Sequence, residues 1–340
     1  MDEILQVKDL DVSFKTYNGE TNVLRGVNFS VQKGGTLAIV GESGSGKSVS
    51  AKTIMQLLPK QNSIVNNGEV LFEGENLLTY NEREMRKVRG SDISMVFQDP
   101  MTSLNPTMSI GKQIMEGLLE HQNLSKKQAY DTAVGLIDLV GISNPESRMK
   151  EYPHQFSGGM RQRIVVAMAI ACKPRILIAD EPTTALDVTI QAQILDLMKD
   201  LQNQLDTSII IITHDLGVVA NMAQRVAVMY AGRVVEIGTV DELFYESKHP
   251  YTWGLLSSMP KLHEDEREPL VPIVGSPPDL EQPIQGCPFA PRCPYAMKVC
   301  HSHMPEDFSV SDTHASACWL LDERAPEVKA PVGTEVNANE

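Results

Sequence analysis

The pattern of apolar and polar positions divides the chain into strand-like and helix-like stretches. LQVKDLDVSF, VNFSV and TLAIV, between residues 4 and 40, alternate or run apolar over lengths that suit strands. SVSAKTIMQLL reads as a helix stopped by Pro59, and EVLFEG and DISMVF as further strands. From about residue 100 to 160 the texture turns helical. SIGKQIMEGLLEHQN is followed by SKKQAYDTAVGLIDLVG, which opens on a capping box from Ser125 to Gln128 and stops at Gly141. A helix to about residue 172, the strand RILIA and the helix VTIQAQILDLMKDLQNQL come next. That last helix places Ile190, Ile194, Leu197, Leu201 and Leu205 on one face. SIIIIT reads as a buried strand and RVAVMY-AG-RVVEIG as a hairpin. Strands alternating with helices predict a largely parallel sheet with functional loops at the strand C-termini.

Pro and Gly thicken between 250 and 295, predicting an appended region with little regular structure, and ERAPEVKAPVGTEVNANE reads as a disordered tail over 323–340. The longest apolar runs, such as IVVAMAIAC, are about half the ~20 residues that cross a bilayer, and MDEILQVKDL has no signal-peptide pattern. A cytosolic chain is expected, with any membrane role supplied by a partner. The 30 basic and 44 acidic residues of the 340 leave a net charge of −14, which argues against a nucleic-acid partner.

The chemistry concentrates in short motifs. Gly41, Glu42, Ser43, Gly44, Ser45, Gly46, Lys47 and Ser48 fit the phosphate-loop pattern G-x-x-x-x-G-K-S, between an apolar strand and a helix. Its glycines let backbone N–H groups turn toward phosphate oxygens. Lys47 neutralises β/γ charge and Ser48 can hold Mg²⁺. ILIAD ends in Asp180, placed to reach that metal, and Glu181 follows, where a carboxylate can orient or deprotonate water. Gln98 closes another strand and can touch both metal and water; His214 ends SIIIIT and can reach a γ-phosphate. FSGGMRQR, residues 156–163, builds a second anion-binding helix start more than a hundred residues from the first. Four of the five cysteines, Cys287, Cys293, Cys300 and Cys318, crowd the C-terminal fifth as C-x5-C-x6-C-x17-C. In a reducing compartment they read as metal ligands, with Fe–S and zinc equally served by four thiolates.

The order of these motifs, with ALD at 185–187, resembles the ATP-binding cassette (ABC) transporter ATPases over residues 4 to about 245. The resemblance implies an α/β P-loop ABC ATPase fold: a RecA-like core sheet, an antiparallel β subdomain and a helical insert at about 99–165, within a nucleotide-binding domain spanning 1–245. It implies ATP and Mg²⁺ as ligands, Mg²⁺ lying near Ser48, Gln98 and Asp180, and Glu181, Gln98 and His214 as the catalytic set. Two cassettes in that family dimerise head to tail, so Ser157, Gly158 and Gly159 serve the partner's γ-phosphate. This answers why one chain carries two cradles. The family's LSGGQ stands here as FSGGM, with Phe156 and Met160 at its ends. Nucleotide-base stacking falls to Tyr17, with Phe14 as the alternative.

HPYTWGLLSSMP, VGSPPDL, EGENL, FQDPMTSLNP and DEPTTALDVTIQAQI extend the resemblance to about residue 320 and narrow it to oligopeptide and dipeptide permease ATPases of the D type. That implies a C-terminal region at 246–322 in which the four cysteines hold a [4Fe–4S] cluster. Implied partners are a homologous F-type cassette, two transmembrane permease subunits and an extracytoplasmic peptide-binding protein, with the chain peripheral on the cytoplasmic face of the cell membrane. A soluble non-transport cassette ATPase is the other reading, disfavoured by the single P-loop and the absence of a heptad run.

Overall fold

The computed structural model describes residues 2–17, 19–98, 103–184, 187–258 and 272–330. In chain order its elements are β1 (Glu3–Thr16), β2 (Gly19–Gln32), β3 (Thr36–Val40), α1 (Lys47–Ile54), β4 (Ser63–Phe72), β5 (Glu75–Asn76), α2 (Glu82–Val88), β6 (Ile93–Val96), α3 (Ile110–His121), α4 (Lys126–Leu139), α5 (Gly158–Ile170), β7 (Ile176–Asp180), α6 (Val188–Leu205), β8 (Ser208–Ile212), α7 (Leu216–Met222), β9 (Arg225–Tyr230), β10 (Arg233–Thr239), α8 (Val240–Tyr245), α9 (Pro250–Ser257), α10 (Lys298–Ser302), β11 (Phe308–Ser309) and β12 (Ala315–Ser316). They fall into two compact units. The first comprises 1–4, 31–36 and 76–212; the second comprises 5–30, 37–75 and 213–340.

In the first unit β6, β7 and β8 run parallel, with Ile93 opposite Ile176 and Ile176 opposite Ser208. Every residue of these strands is buried, which accounts for their mostly apolar sequences, interrupted only by Ser94, Asp180 and Ser208. The helical segment packs through Ile110, Ile114 and Leu118 of α3 and Ala129, Ala133 and Ile137 of α4, all buried. The Ser125 box forms as read: the Gln128 amide donates to Ser125 Oγ at 3.3 Å, and the Ser125 amide donates to Gln128 Oε1 at 2.9 Å. On α6 the buried positions are Ile194, Leu195, Met198, Leu201 and Gln202, so the apolar face is turned from the stripe drawn through Ile190 and Leu205. Gln202 replaces an apolar contact with hydrogen bonds to Thr36 Oγ1 and the Gly34 carbonyl.

In the second unit β1 pairs antiparallel with β4 in a four-stranded sheet ordered β2-β1-β4-β5. β3 pairs parallel with β9, β9 antiparallel with β10, and β10 antiparallel with β12, giving a mixed sheet. The region expected to lack regular structure contains α9. Pro250 sits at its first turn, where no N–H is required, and His249 Nδ1 caps it by accepting the Tyr251 amide at 3.0 Å. His249 is fully buried, and that burial pushes its pKa down to about 4 against the opposing pull of Glu236, so its imidazole is neutral at pH 7. Glu236 of β10 is buried with its oxygens satisfied: it accepts the Lys248 and His249 amides and pairs with His314 Nε2 at 2.9 Å. Residues 331–340 of the expected tail lie outside the described residues.

Candidate active site

The phosphate loop joins β3 to α1. Gly41 lies at φ 148°, where an added Cβ would stand 2.1 Å from the Met229 carbonyl oxygen, so this position accepts hydrogen alone. Gly46 caps α1 in the left-handed region. Lys47 is buried, and its ammonium donates to the Gly41 and Glu42 carbonyls at 2.8 and 3.0 Å, which closes the loop into a ring. Ser45 Oγ is buried with no hydrogen-bond partner. An orphaned hydroxyl inside a glycine-lined turn at a helix N-terminus fits an anionic oxygen, so the residues present suit a nucleotide phosphate. Ser48 sits half-buried in the first turn of α1. Tyr17, at the end of β1, is fully exposed, whereas Phe14 is half-buried.

In the first unit Asp180 ends β7 and is buried. Glu181 follows at φ 48°, an uncommon conformation for a residue with a side chain, and its amide donates to the Ile212 carbonyl at 2.8 Å. Its carboxylate oxygen Oε2 accepts Gln98 Nε2 at 2.8 Å and Thr184 Oγ1 at 2.9 Å. The structure thus brings together Gln98 and Glu181, two residues 83 positions apart. A carboxylate held by two donors on a strained turn has a fixed direction, as water activation requires. His214 is exposed in the turn that leads into α7, which Asp215 caps through the Gly217 amide at 2.8 Å.

The second cradle opens α5. Ser157 is its N-cap, accepting the Met160 amide at 3.3 Å, and Ser157 and Gly158 are exposed. An added Cβ at Gly158 would meet nothing within 4 Å, whereas at Gly159 it would meet Ile190 Cγ2 at 2.8 Å. The two adjacent glycines therefore differ: Gly159 permits packing of α5 on α6, and Gly158 leaves an open face. Sequence reading missed Gln162, which is buried and donates to the Pro182 carbonyl at 2.6 Å, tying this helix to the turn that carries Glu181. Asp187 caps α6 through the Ile190 amide at 3.0 Å; Ala185 and Leu186 of the same motif, and residues 99–102 beyond Gln98, lie outside the described residues.

Cys287, Cys293 and Cys300 are half-buried and Cys318 is buried. Burial pushes the Cys293 thiol up to about 11 and the Cys318 thiol up to about 12. It raises Cys287 too; Cys300 adds to that shift, Cys287 and Cys300 to that of Cys293, and Cys287, Cys293 and Cys300 to that of Cys318. The Met297 amide donates to Cys300 Sγ at 3.4 Å. Among the described residues, no three His, Cys, Asp or Glu side chains converge closely enough to hold a metal ion. The thiols as placed do not fit a single ion bound at ~2.3 Å from each sulfur.

Two family models match the chain: ABC transporter over residues 24–184, and the oligopeptide/dipeptide transporter C-terminal region over 235–300. The oligopeptide transport ATP-binding protein OppD of Bacillus subtilis is 61% identical over 96% of this chain and 92% of its own length. The dipeptide transport ATP-binding protein DppD of the same organism is 57% identical over 96% and 97%. Among solved structures, the dimeric post-hydrolysis state of the ATP-binding cassette MJ0796 bound to ADP and Pi matches with a TM-score of 0.62 and 26% identity, over 69% of this chain and 98% of that one. With its P-loop, its Gln98–Glu181 pair and these similarities, the chain belongs to the ABC transporter ATPases, in the branch that carries the oligopeptide/dipeptide transporter C-terminal region.

Proposed function

We propose that this chain is the D-type ATP-hydrolysing subunit of a bacterial peptide importer. It works peripherally on the cytoplasmic face of the membrane with an F-type cassette, two permease subunits and an extracytoplasmic peptide-binding protein. Among the described residues no helix is long and apolar enough to cross a membrane, so translocation falls to partners. The observation that carries the reading is the Glu181 carboxylate, next to the acidic strand end of β7 and hydrogen-bonded by Gln98, in one chain with a peptide-transporter C-terminal region matched over 235–300.

In this reading the loop from Gly41 to Ser48 holds the phosphates, Tyr17 stacks on the base, and Lys47 offsets the β/γ charge. Ser48, Asp180 and Gln98 hold Mg²⁺, which supplies electrostatic stabilisation of the phosphoryl oxygens when bound. Glu181 takes the proton of the attacking water, Gln98 orients that water, and His214 reaches the γ-phosphate. Ser157, Gly158 and Gly159 close on the nucleotide of the partner cassette. Closure driven by two γ-phosphates and release on hydrolysis give a two-state cycle, which the helical segment α3–α4 passes to the permeases. Cys287, Cys293, Cys300 and Cys318 are the ligands of a [4Fe–4S] cluster in this reading. Their grouping as C-x5-C-x6-C-x17-C supports it; among the described residues no three such side chains converge on a metal, and no step passes through the cluster.

Uptake of a labelled tripeptide into proteoliposomes holding the complete assembly tests the function. ATP on the cassette side will drive accumulation and a non-hydrolysable analogue will not. ATP turnover with no accumulation of di-, tri- or pentapeptides would remove the peptide assignment.

A further inference from the structure

Glu42 places a carboxylate second in a loop built to bind anions, a sign opposed to that task. Its charge is answered from the C-terminal region, 250 residues away. Arg292 forms a bidentate pair with it, Nη1 to Oε2 at 2.5 Å and Nη2 to Oε1 at 2.9 Å. The remaining guanidinium donors are also used: Nε donates to the Val274 carbonyl at 3.0 Å, Nη2 to the Ile273 carbonyl at 3.2 Å and Nη1 to Tyr230 Oη at 3.2 Å. The Arg292 side chain is 5% exposed, so this fork is fixed and shielded from salt. The backbone of Glu42 is held separately. Its amide donates to Tyr251 Oη at 2.8 Å, and Tyr251 is buried against Tyr230 and Phe289, ring centroids 4.6 and 5.3 Å away.

We propose that Arg292 and Tyr251 are positioning residues of the ATP site, through which the C-terminal region neutralises Glu42 and fixes the first turn of the phosphate loop. The peptide-transporter region is then a working part of nucleotide binding rather than an appendage to it. The inference rests on ATP occupying this loop.

A double-mutant cycle on the full chain tests it, reading Mg-ATP affinity by equilibrium dialysis and, in the assembled transporter, KM for ATP against kcat. Arg292→Gln is expected to weaken ATP binding about tenfold, the effect of one lost charge-assisted contact, with kcat at saturating ATP within about twofold of the parent. In a Glu42→Gln background the same substitution should change affinity less than about twofold, because no charge is left to neutralise. Arg292→Lys should recover part of the affinity, and Tyr251→Phe, which removes one hydroxyl, should weaken binding about threefold with the fold intact. An equal loss from Arg292→Gln in both backgrounds, or unchanged affinity in both Arg292→Gln and Tyr251→Phe, would overturn the inference. A parent chain that binds no Mg-ATP would overturn the site assignment along with it.

Discussion

Glu181→Gln will lower ATP turnover of the assembled transporter by about a thousand-fold, within the range that a positioned general base contributes, while ATP binding persists. The substitution keeps shape and the acceptor oxygen that Gln98 and Thr184 use, so the turn at φ 48° has no new reason to relax. What it removes is the capacity to take a proton from water. ATP then accumulates in the closed pair of cassettes, and a stable complex with nucleotide should be isolated by gel filtration. Turnover at the parental rate would assign the base elsewhere. Gln98→Ala, by contrast, should lower turnover less, because it removes an orienting donor and leaves the carboxylate in place.

Gly41→Ala will abolish ATP binding and destabilise the chain by at least about 3 kcal/mol, the combined scale of backbone strain and overpacking. The Cβ would meet the Met229 carbonyl oxygen at 2.1 Å, and β9 is buried, so that oxygen has nowhere to retreat. The Gly41 carbonyl also accepts Lys47 Nζ, so a shifted loop misplaces the lysine as well. Gly44→Ala is the contrast. Its φ is 79°, yet an added Cβ there meets nothing within 4 Å, and a cost of about 1 kcal/mol is expected from strain alone. Chemical denaturation and ATP titration of both variants separate the two cases; equal behaviour would show that steric exclusion at Gly41 is not what shapes the loop.

The parts of the site legible in sequence are those in which function and local conformation use the same residues. The glycine spacing of the phosphate loop, the acidic end of ILIAD and the serine cap before two glycines each dictate backbone shape within a few positions. The parallel strands are readable for a similar reason, since burial on both faces leaves mostly apolar residues. What escaped depends on partners distant in the chain. Arg292 gives no local sign of its contact with Glu42, and Gln162 looks like an ordinary polar helix residue until Pro182 is placed beside it. Pro250 reads as a breaker, although in the first turn of α9 it favours the helix. The stripe through Ile190 and Leu205 misses the buried face of α6 because Gln202 is buried by hydrogen bonds that periodicity cannot register.

The central claim is that the triphosphate bound by one cassette is completed by the Ser157–Gly159 turn of another. Gly158→Asp isolates it. The side chain enters open space on the exposed start of α5, and an acidic residue at a helix N-terminus does not harm the helix. The isolated chain should therefore fold and bind its own ATP as the parent does. In the assembled transporter the aspartate would face the partner's γ-phosphate with like charge. The decisive measurement is ATP turnover and peptide uptake by the complex carrying Gly158→Asp: the account predicts loss of both with ATP binding by the isolated chain unchanged, and parental turnover and uptake would contradict it.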